Sequence, residues 1–336
     1  MPTATVNFID EKQSRQNSLS LALMLLGSLA MAWYNYGPRA LALTAVCIAG
    51  TTISDFAGLL IVKSRKREVY DFSAPLTGLL IALMLPADFP FSFALMGCVF
   101  AVIVAKLPFG GVKGELLNPA AAGLAFLSVS RPVALFAYPK VIDHTGVFSA
   151  KEGLAAGGES LASMLQLGDS MRLNHINFFK LLTGAFPGPM GTGCIIVLLA
   201  GGFYFIFRQP EALLNFFGMI TAGAALSFLF PRVLTGRLSS LVFELMSGAF
   251  IFAALFLITD QASSPVKKTH RFLYGAFAGG LAMALRYFGV FEEGVWFAVL
   301  LANAGWVVFS SPRPTFEEPI AQAENSNLDQ GGGQGA

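Results

Sequence analysis

Three stretches of this chain, 21–38, 40–54 and 212–231, contain no Asp, Glu, Lys or Arg. Each reaches or approaches the roughly 20 residues that a helix needs to cross the hydrocarbon of a bilayer. Several such runs in one chain define a polytopic membrane protein, and the rest of the composition agrees. Of the 336 residues only 12% are charged and 55% are hydrophobic, where soluble domains carry about 25% charge. The net charge of +2 provides no basic surface for a nucleic acid. Cys47, Cys98 and Cys194 lie in or beside apolar runs without CxxC spacing, so they read as buried thiols, and no metal site is indicated.

Apolar runs and their punctuation predict about ten helical spans, near 18–35, 40–62, 73–86, 91–106, 118–137, 191–207, 212–230, 241–259, 271–288 and 294–310. Two of these are short or broken. The third ends at Leu85-Pro86, and the eighth contains Ser247-Gly248-Ala249 and ends at Thr259-Asp260. Interrupted segments at matching positions of two halves point to a binding site at the membrane midplane. Span four ends in Lys106-Leu107-Pro108 and span nine in Arg286-Tyr287-Phe288. Five spans separate these equivalents, and an odd number inverts the second half relative to the first.

The cluster Lys63-Ser64-Arg65-Lys66-Arg67 places the loop after span two in the cytoplasm. The expected organisation is then a cytoplasmic segment 1–17, five spans over 18–137, an external polar segment 138–190, five spans over 191–310, and a cytoplasmic, disordered tail 311–336. Both termini are inside, and Lys267, Lys268 and Arg271 fall inside as well. Trp33, Tyr34 and Tyr36 form an aromatic belt at the outer end of span one.

Ionisable groups within spans are functional candidates because they are costly to leave unpaired in hydrocarbon. They are Asp55 in span two, Asp71 at the mouth of span three, Glu244 near the start of span eight and Asp260 at its end. Arg131 in span five is a partner for one of these carboxylates. Asp260 and Thr259 carry most weight, because a carboxylate and free backbone carbonyls coincide where an apolar helix gives way to a turn. That arrangement can hold a cation or take a proton. Gly275 and Gly279, like Ala121 and Ala125, have the small-xxx-small spacing of close helix packing. The glycine-rich stretch 109–114 matches neither a P-loop nor a dinucleotide fingerprint. His144, His175 and His270 lack ligand spacing.

Ordered blocks along the chain resemble the RnfD/NqrB family. The likeness is to RnfD, a membrane component of the Rnf ferredoxin:NAD oxidoreductase complex and, more distantly, to NqrB of the sodium-pumping NADH:quinone reductase. The blocks are Asp71 through Thr77-Gly78 to Pro86, Phe109-Gly110-Gly111 through Asn118-Pro119-Ala120, Ser247-Gly248-Ala249 through Thr259-Asp260, and Glu293 through Asn303. The resemblance implies an all-α fold of ten spans in two inverted five-helix repeats, similar to urea transporters, in the cell inner membrane. It implies partner subunits, integral and peripheral, in a complex that couples electron flow to Na⁺ or H⁺ movement. The chain is then one component of an oxidoreductase and translocase complex rather than an enzyme alone. The resemblance also implies FMN, esterified through its phosphate to a threonine of the external segment. Here Glu159 stands where that threonine belongs, with Ser160 adjacent, and Thr145 is no better placed. Without the ester, the expected flavin contacts are non-covalent, at Thr77, Gly78, Asn118, Ser247 and Gly248. Two other readings are a small-solute permease of the same fold and a structural component that has lost its flavin.

Overall fold

The computed structural model describes residues 11–61, 72–109, 115–141, 157–168, 173, 176, 178–208, 210–233, 236–260, 263–265 and 267–310. Asp71, His144, Thr145, His175, the basic cluster 63–67, the glycines 110–114 and the tail 311–336 lie outside them. The described residues are helical, with one short ribbon among them joining β1 (Tyr138–Pro139) to β2 (Gly157–Gly158) in antiparallel register.

A helical segment coincides with each predicted apolar run. Helix α1 (Glu11–Tyr36) starts seven residues before the expected span, within the segment read as a polar terminus. Gly37, at φ +72°, turns the chain, and Pro38 opens α2 (Pro38–Ile61). A proline at the first helical position loses no hydrogen bond, because that N–H has no intrahelical partner. Helix α3 (Ser73–Met84) is short, as Leu85-Pro86 requires. Helix α4 (Phe91–Phe100) widens into a π turn at Ala101–Lys106 and a 3₁₀ turn at Leu107–Phe109. Asn118 caps α5 (Pro119–Ser130) by accepting from the Ala121 N–H at 3.1 Å. Pro132 interrupts the expected fifth span, leaving α6 (Pro132–Leu135) as a single turn.

In the polar segment Ser160 caps α7 (Leu161–Leu167), and Gly168 ends it at φ +69°; α8 (Phe178–Thr183) follows. The second half contains α9 (Ile195–Arg208), α10 (Leu213–Leu229), α11 (Arg237–Met246), α12 (Phe250–Phe256), α13 (Lys268–Phe288) and α14 (Val295–Ser310). Helices α11 and α12 together form the expected eighth span, bent by 58° at Ser247-Gly248-Ala249. By length and composition, the stretches Leu19–Tyr36, Pro38–Leu60 and Phe91–Phe109 are each long and apolar enough to cross a membrane alone. The chain is a helical, multi-pass membrane protein.

The short helices lie inside and the long ones outside. Nine residues of α3 and six of α12 are buried, whereas α1 and α2 leave Leu23, Trp33, Tyr34, Ile53 and Leu60 exposed. A helix too short to cross hydrocarbon ends at membrane depth, and its free backbone groups need protein rather than lipid around them. Hydroxyls within the helices are satisfied locally: Thr51, Ser54, Ser128 and Ser227 each donate to the carbonyl four residues earlier. The packing of α10 on α13 follows from glycine. A β-carbon at Gly275 would lie 2.1 Å from the Asn215 carbonyl, and one at Gly279 would lie 2.3 Å from that of Met219. Gly218 approaches Phe272 equally closely from the other side. The expected small-residue interface is present, and it fixes the separation of these two helices.

Contacts between connections sort them into two ends. At one end Tyr36 donates to the Gly188 carbonyl, Arg39 pairs with Asp88 at 3.4 Å, Ser160 bonds Glu292, and Gln166 bonds the carbonyls of Gly289 and Val290. At the other, Lys106 pairs with Asp55, and Arg271 pairs with Glu211 and donates to the Pro265 carbonyl. Tyr36 faces inward and is buried, so only Trp33 and Tyr34 of the expected aromatic belt face outward.

Candidate functional site

Helix α12 is seven residues long and carries a polar assembly at each end. Its start is set by Gly248, whose φ of +61° makes the bend. Beyond the bend the Ala249 N–H donates to Glu293 Oε2 at 3.0 Å. Glu293 holds Arg286 Nη2 at 2.9 Å, and Arg286 Nη1 reaches Ser247 Oγ at 3.1 Å and Glu244 Oε2 at 3.4 Å. Arg232 pairs with the same Glu244 at 2.9 Å while lying over the Tyr287 ring. Two cations and two anions thus form one chain of charge without net excess. Glu244, Arg286 and Glu293 are at most 2% exposed, and a buried ion pair persists only when its charges are matched and hydrogen-bonded.

The far end of α12 is finished by amides. Asn118 Nδ2 donates to the Leu257 carbonyl at 3.1 Å, and Asn215 Nδ2 donates to that of Ile258 at 3.0 Å. Asn303 Nδ2 donates to the Tyr274 hydroxyl at 2.7 Å, and Asn303 Oδ1 accepts from the Asn118 N–H. Three buried asparagines, each from a different part of the chain, therefore surround the point where the helical ladder stops. Thr259 bonds back to the Leu255 carbonyl, and the Asp260 carboxylate accepts from Ser263 Oγ at 3.3 Å. Asn215 Oδ1 and Ser264 Oγ are buried polar oxygens with no hydrogen-bond partner among the described residues. Oxygen atoms, one carboxylate and open acceptors are the chemistry that a hard monovalent cation or a proton requires.

Of the sequence-predicted residues, Thr259, Asp260 and Asn118 meet at this second assembly, and Glu244, Ser247 and Gly248 meet at the first. Asp55 is elsewhere, paired with Lys106 at 3.2 Å, and Lys106 also donates to Ser73 Oγ at 2.7 Å. Thr77 donates to the Ser73 carbonyl. Gly78 abuts α2, where a β-carbon would sit 2.7 Å from the Cys47 carbonyl. Arg131 corrects an expectation: its guanidinium lies 3.9 Å from the centroid of the Phe93 ring rather than on one of the candidate carboxylates. His270 sits beside Trp306. Sequence reasoning misses the roles of Arg286, Glu293, Arg232, Asn215 and the Arg39–Asp88 pair. Its one available signal is the internal symmetry that sets Arg286 opposite Lys106.

Between the ribbon, α7, the 184–193 segment and the 292–293 turn lies a small cavity of about 30 Å³. Tyr138, Ser160, Gly248, Glu292 and Glu293 line it, with apolar walls that include Phe186 and Met246. Ser160, 4% exposed, donates to Glu292 Oε2 at 2.9 Å and accepts from the Ser163 N–H. Burial holds Glu292 up to about 7, with Glu293 beside it adding to the shift and Ser160 and Tyr138 opposing it. Burial raises Tyr138 too, reinforced by the charges of Glu292 and Glu293.

These residues do not fit an FMN phosphoester. Glu159 has no hydroxyl, that of Ser160 is engaged, and a phosphate here would face the two carboxylates. The five residues expected to contact a non-covalent flavin lie on several elements. Thr77 and Gly78 pack on α2, Asn118 lies at the far end of α12, and of the five only Gly248 lines the cavity described above.

The family described as the NQR2, RnfD, RnfE family matches residues 3–311. The D subunit of the Na(+)-translocating ferredoxin:NAD(+) oxidoreductase complex of Acetobacterium woodii is 30% identical over 289 residues, covering 84% of each chain. The proton-translocating counterpart of Clostridium ljungdahlii is 28% identical, covering 85% of this chain and 86% of its own. The D subunit of the ion-translocating oxidoreductase complex of Escherichia coli O139:H28 is 31% identical over 328 residues, covering 86% of this chain and 90% of its own. With a match across nearly its whole length, carried on helices that surround a broken and buried one, this chain belongs to the NQR2, RnfD, RnfE family.

Proposed function

We propose that this chain is the RnfD-type membrane component of a Rnf complex, coupling electron transfer between ferredoxin and NAD⁺ to movement of Na⁺ or H⁺. It crosses the cell inner membrane ten times as two inverted five-helix repeats, with both termini cytoplasmic, and works with integral and peripheral partner subunits. The names of the relatives support the activity class, and paired contacts support the repeat. Lys106, closing the fourth helix of the first half, donates to Ser73 at the start of α3; Arg286, closing the fourth helix of the second, donates to Ser247 just before α12. Arg39 and Asn215, near the start of the second helix of each half, donate to carbonyls beyond α3 and α12. In the proposed inverted arrangement, each pair of equivalents falls at opposite ends of the molecule.

The observation that carries the ion-coupling reading is the far end of α12, where Asp260 and open oxygens of buried side chains surround a broken helix. Asp260 is the group that meets the moving ion. Asp55 and Glu244, each held by a cation, keep the half-helices in place. The protein does this without a flavin ester at residues 159–160. The test is the complete complex in sealed vesicles, driven by reduced ferredoxin and NAD⁺. Asp260→Asn is expected to lower the rate of ion uptake by about tenfold or more, equivalent to ~1.4 kcal/mol at a barrier. Ion uptake equal to that of the parent complex removes Asp260 from the pathway.

A further inference from the structure

The small cavity of about 30 Å³ and its Glu292 are not needed by the Asp260 assembly, which lies at the other end of α12. Glu292 has one oxygen bonded to Ser160 and the other, Oε1, buried with no hydrogen-bond partner among the described residues. The groups facing it are Tyr138 from β1, Ser160 from the start of α7, and Glu293 with its bound Arg286 from α13. Tyr138 and Ser160 can donate to a carboxylate. Its neighbour Glu293 is already saturated by Arg286 and the Ala249 N–H. The carboxyl of this cavity with an oxygen open to a proton is therefore that of Glu292.

We infer that this cavity is a proton-exchange site open to the side on which residues 157–168 lie, with Glu292 as the carboxyl that gains and loses the proton. One O–H bond forms at Glu292 on uptake and breaks on release, with water in the cavity as donor and acceptor. Loss of the Glu292 charge removes a like charge beside Glu293, so the Glu293–Arg286 contact at the start of α12 tightens. Protonation at this face is thereby registered at the bend between α11 and α12. The inference extends the proposed function to a second position and is tested without measuring transport.

The experiment is an infrared pH titration of the carboxyl band in the purified full-length protein, comparing parent, Glu292→Gln and Glu292→Asp. The parent is expected to show one carboxyl titrating near pH 7, where an ordinary glutamate titrates near 4.3. Glu292→Gln is expected to lack that band, and Glu292→Asp to restore a carboxyl that titrates above the ordinary range. The same near-neutral band in parent and Glu292→Gln, or no such band in the parent, overturns the assignment. Because the readout is spectroscopic, an inactive or flavin-free complex leaves it interpretable, and failure of Asp260→Asn to alter ion uptake does not bear on it.

Discussion

A β-carbon at Gly248 would lie 1.8 Å from Oε2 of Glu293, so the bend before α12 and the carboxylate that caps it occupy one space. The φ of +61° at Gly248 would itself cost a larger residue about 1–2 kcal/mol. Gly248→Ala should therefore displace Glu293 from Arg286 and from the Ala249 N–H, leaving buried charges uncompensated. The expected loss is ~3 kcal/mol or more, measured as a lower thermal unfolding midpoint in detergent. A midpoint within a degree or so of the parent's would show that the bend accommodates a side chain.

The Asp55–Lys106 pair is 9% and 3% exposed at its two side chains. Removing one partner strands the other in a dry environment. Lys106→Met alone should destabilise by about 3–5 kcal/mol, and Asp55→Leu with Lys106→Met should recover much of that loss. Unfolding of the single and double variants gives the coupling energy directly. Additive losses would mean that the two charges do not support each other.

Stability should also depend on pH through Glu292. Its carboxyl is raised from 4.5 in the unfolded chain to about 7 in the folded protein. Between those values the folded protein holds a proton that the unfolded chain has released, so stability falls as pH rises through this window. The contribution is fully present below 4.5 and lost above about 7. Glu292→Gln should flatten the thermal midpoint across that range, relative to the parent, by removing the group responsible. A parent whose stability rises over the same interval faster than that of Glu292→Gln would contradict the direction.

Sidedness can be read by labelling. Cys47, Cys98 and Cys194 are buried, which keeps the background low. Cysteines placed at the exposed positions Glu159, Val290 and Lys268 should divide two to one. In intact cells stripped of the outer envelope, a membrane-impermeant maleimide is expected to label the first two and to spare Lys268→Cys until the membrane is opened. Labelling of Lys268→Cys alone would reverse the orientation.

Much of this architecture is legible in the sequence because the membrane imposes a simple code. Charge-free runs mark the helices, Leu85-Pro86 and Ser247-Gly248-Ala249 mark the interruptions, and the spacing of Gly275 and Gly279 marks a close helix contact. The ion pairs are harder to read. Glu244 and Arg286 are 42 residues apart, and Lys106 and Asp55 sit in different helical segments, so each charge looks like a lone group at the end of a span. Asn215 and Asn303 carry no charge and lie within apolar runs, where nothing local distinguishes a capping amide from a tolerated polar residue. Arg131 reads as a group seeking a carboxylate, and the nearby Phe93 ring satisfies it instead. The charge-neutral network emerges only once α11, α13 and the 293 turn are brought together.

The seven residues of α12 span roughly 10 Å along its axis, about a third of the hydrocarbon thickness of a bilayer. Arg286 with its carboxylates stands at one end of that interval and Asp260 at the other. A transmembrane voltage does work of about 2.3 kcal/mol per 100 mV on a unit charge that crosses fully. A unit charge passing from one assembly to the other traverses only the interval of Phe250–Phe256 rather than the length of the longest helices, and takes up only part of that work.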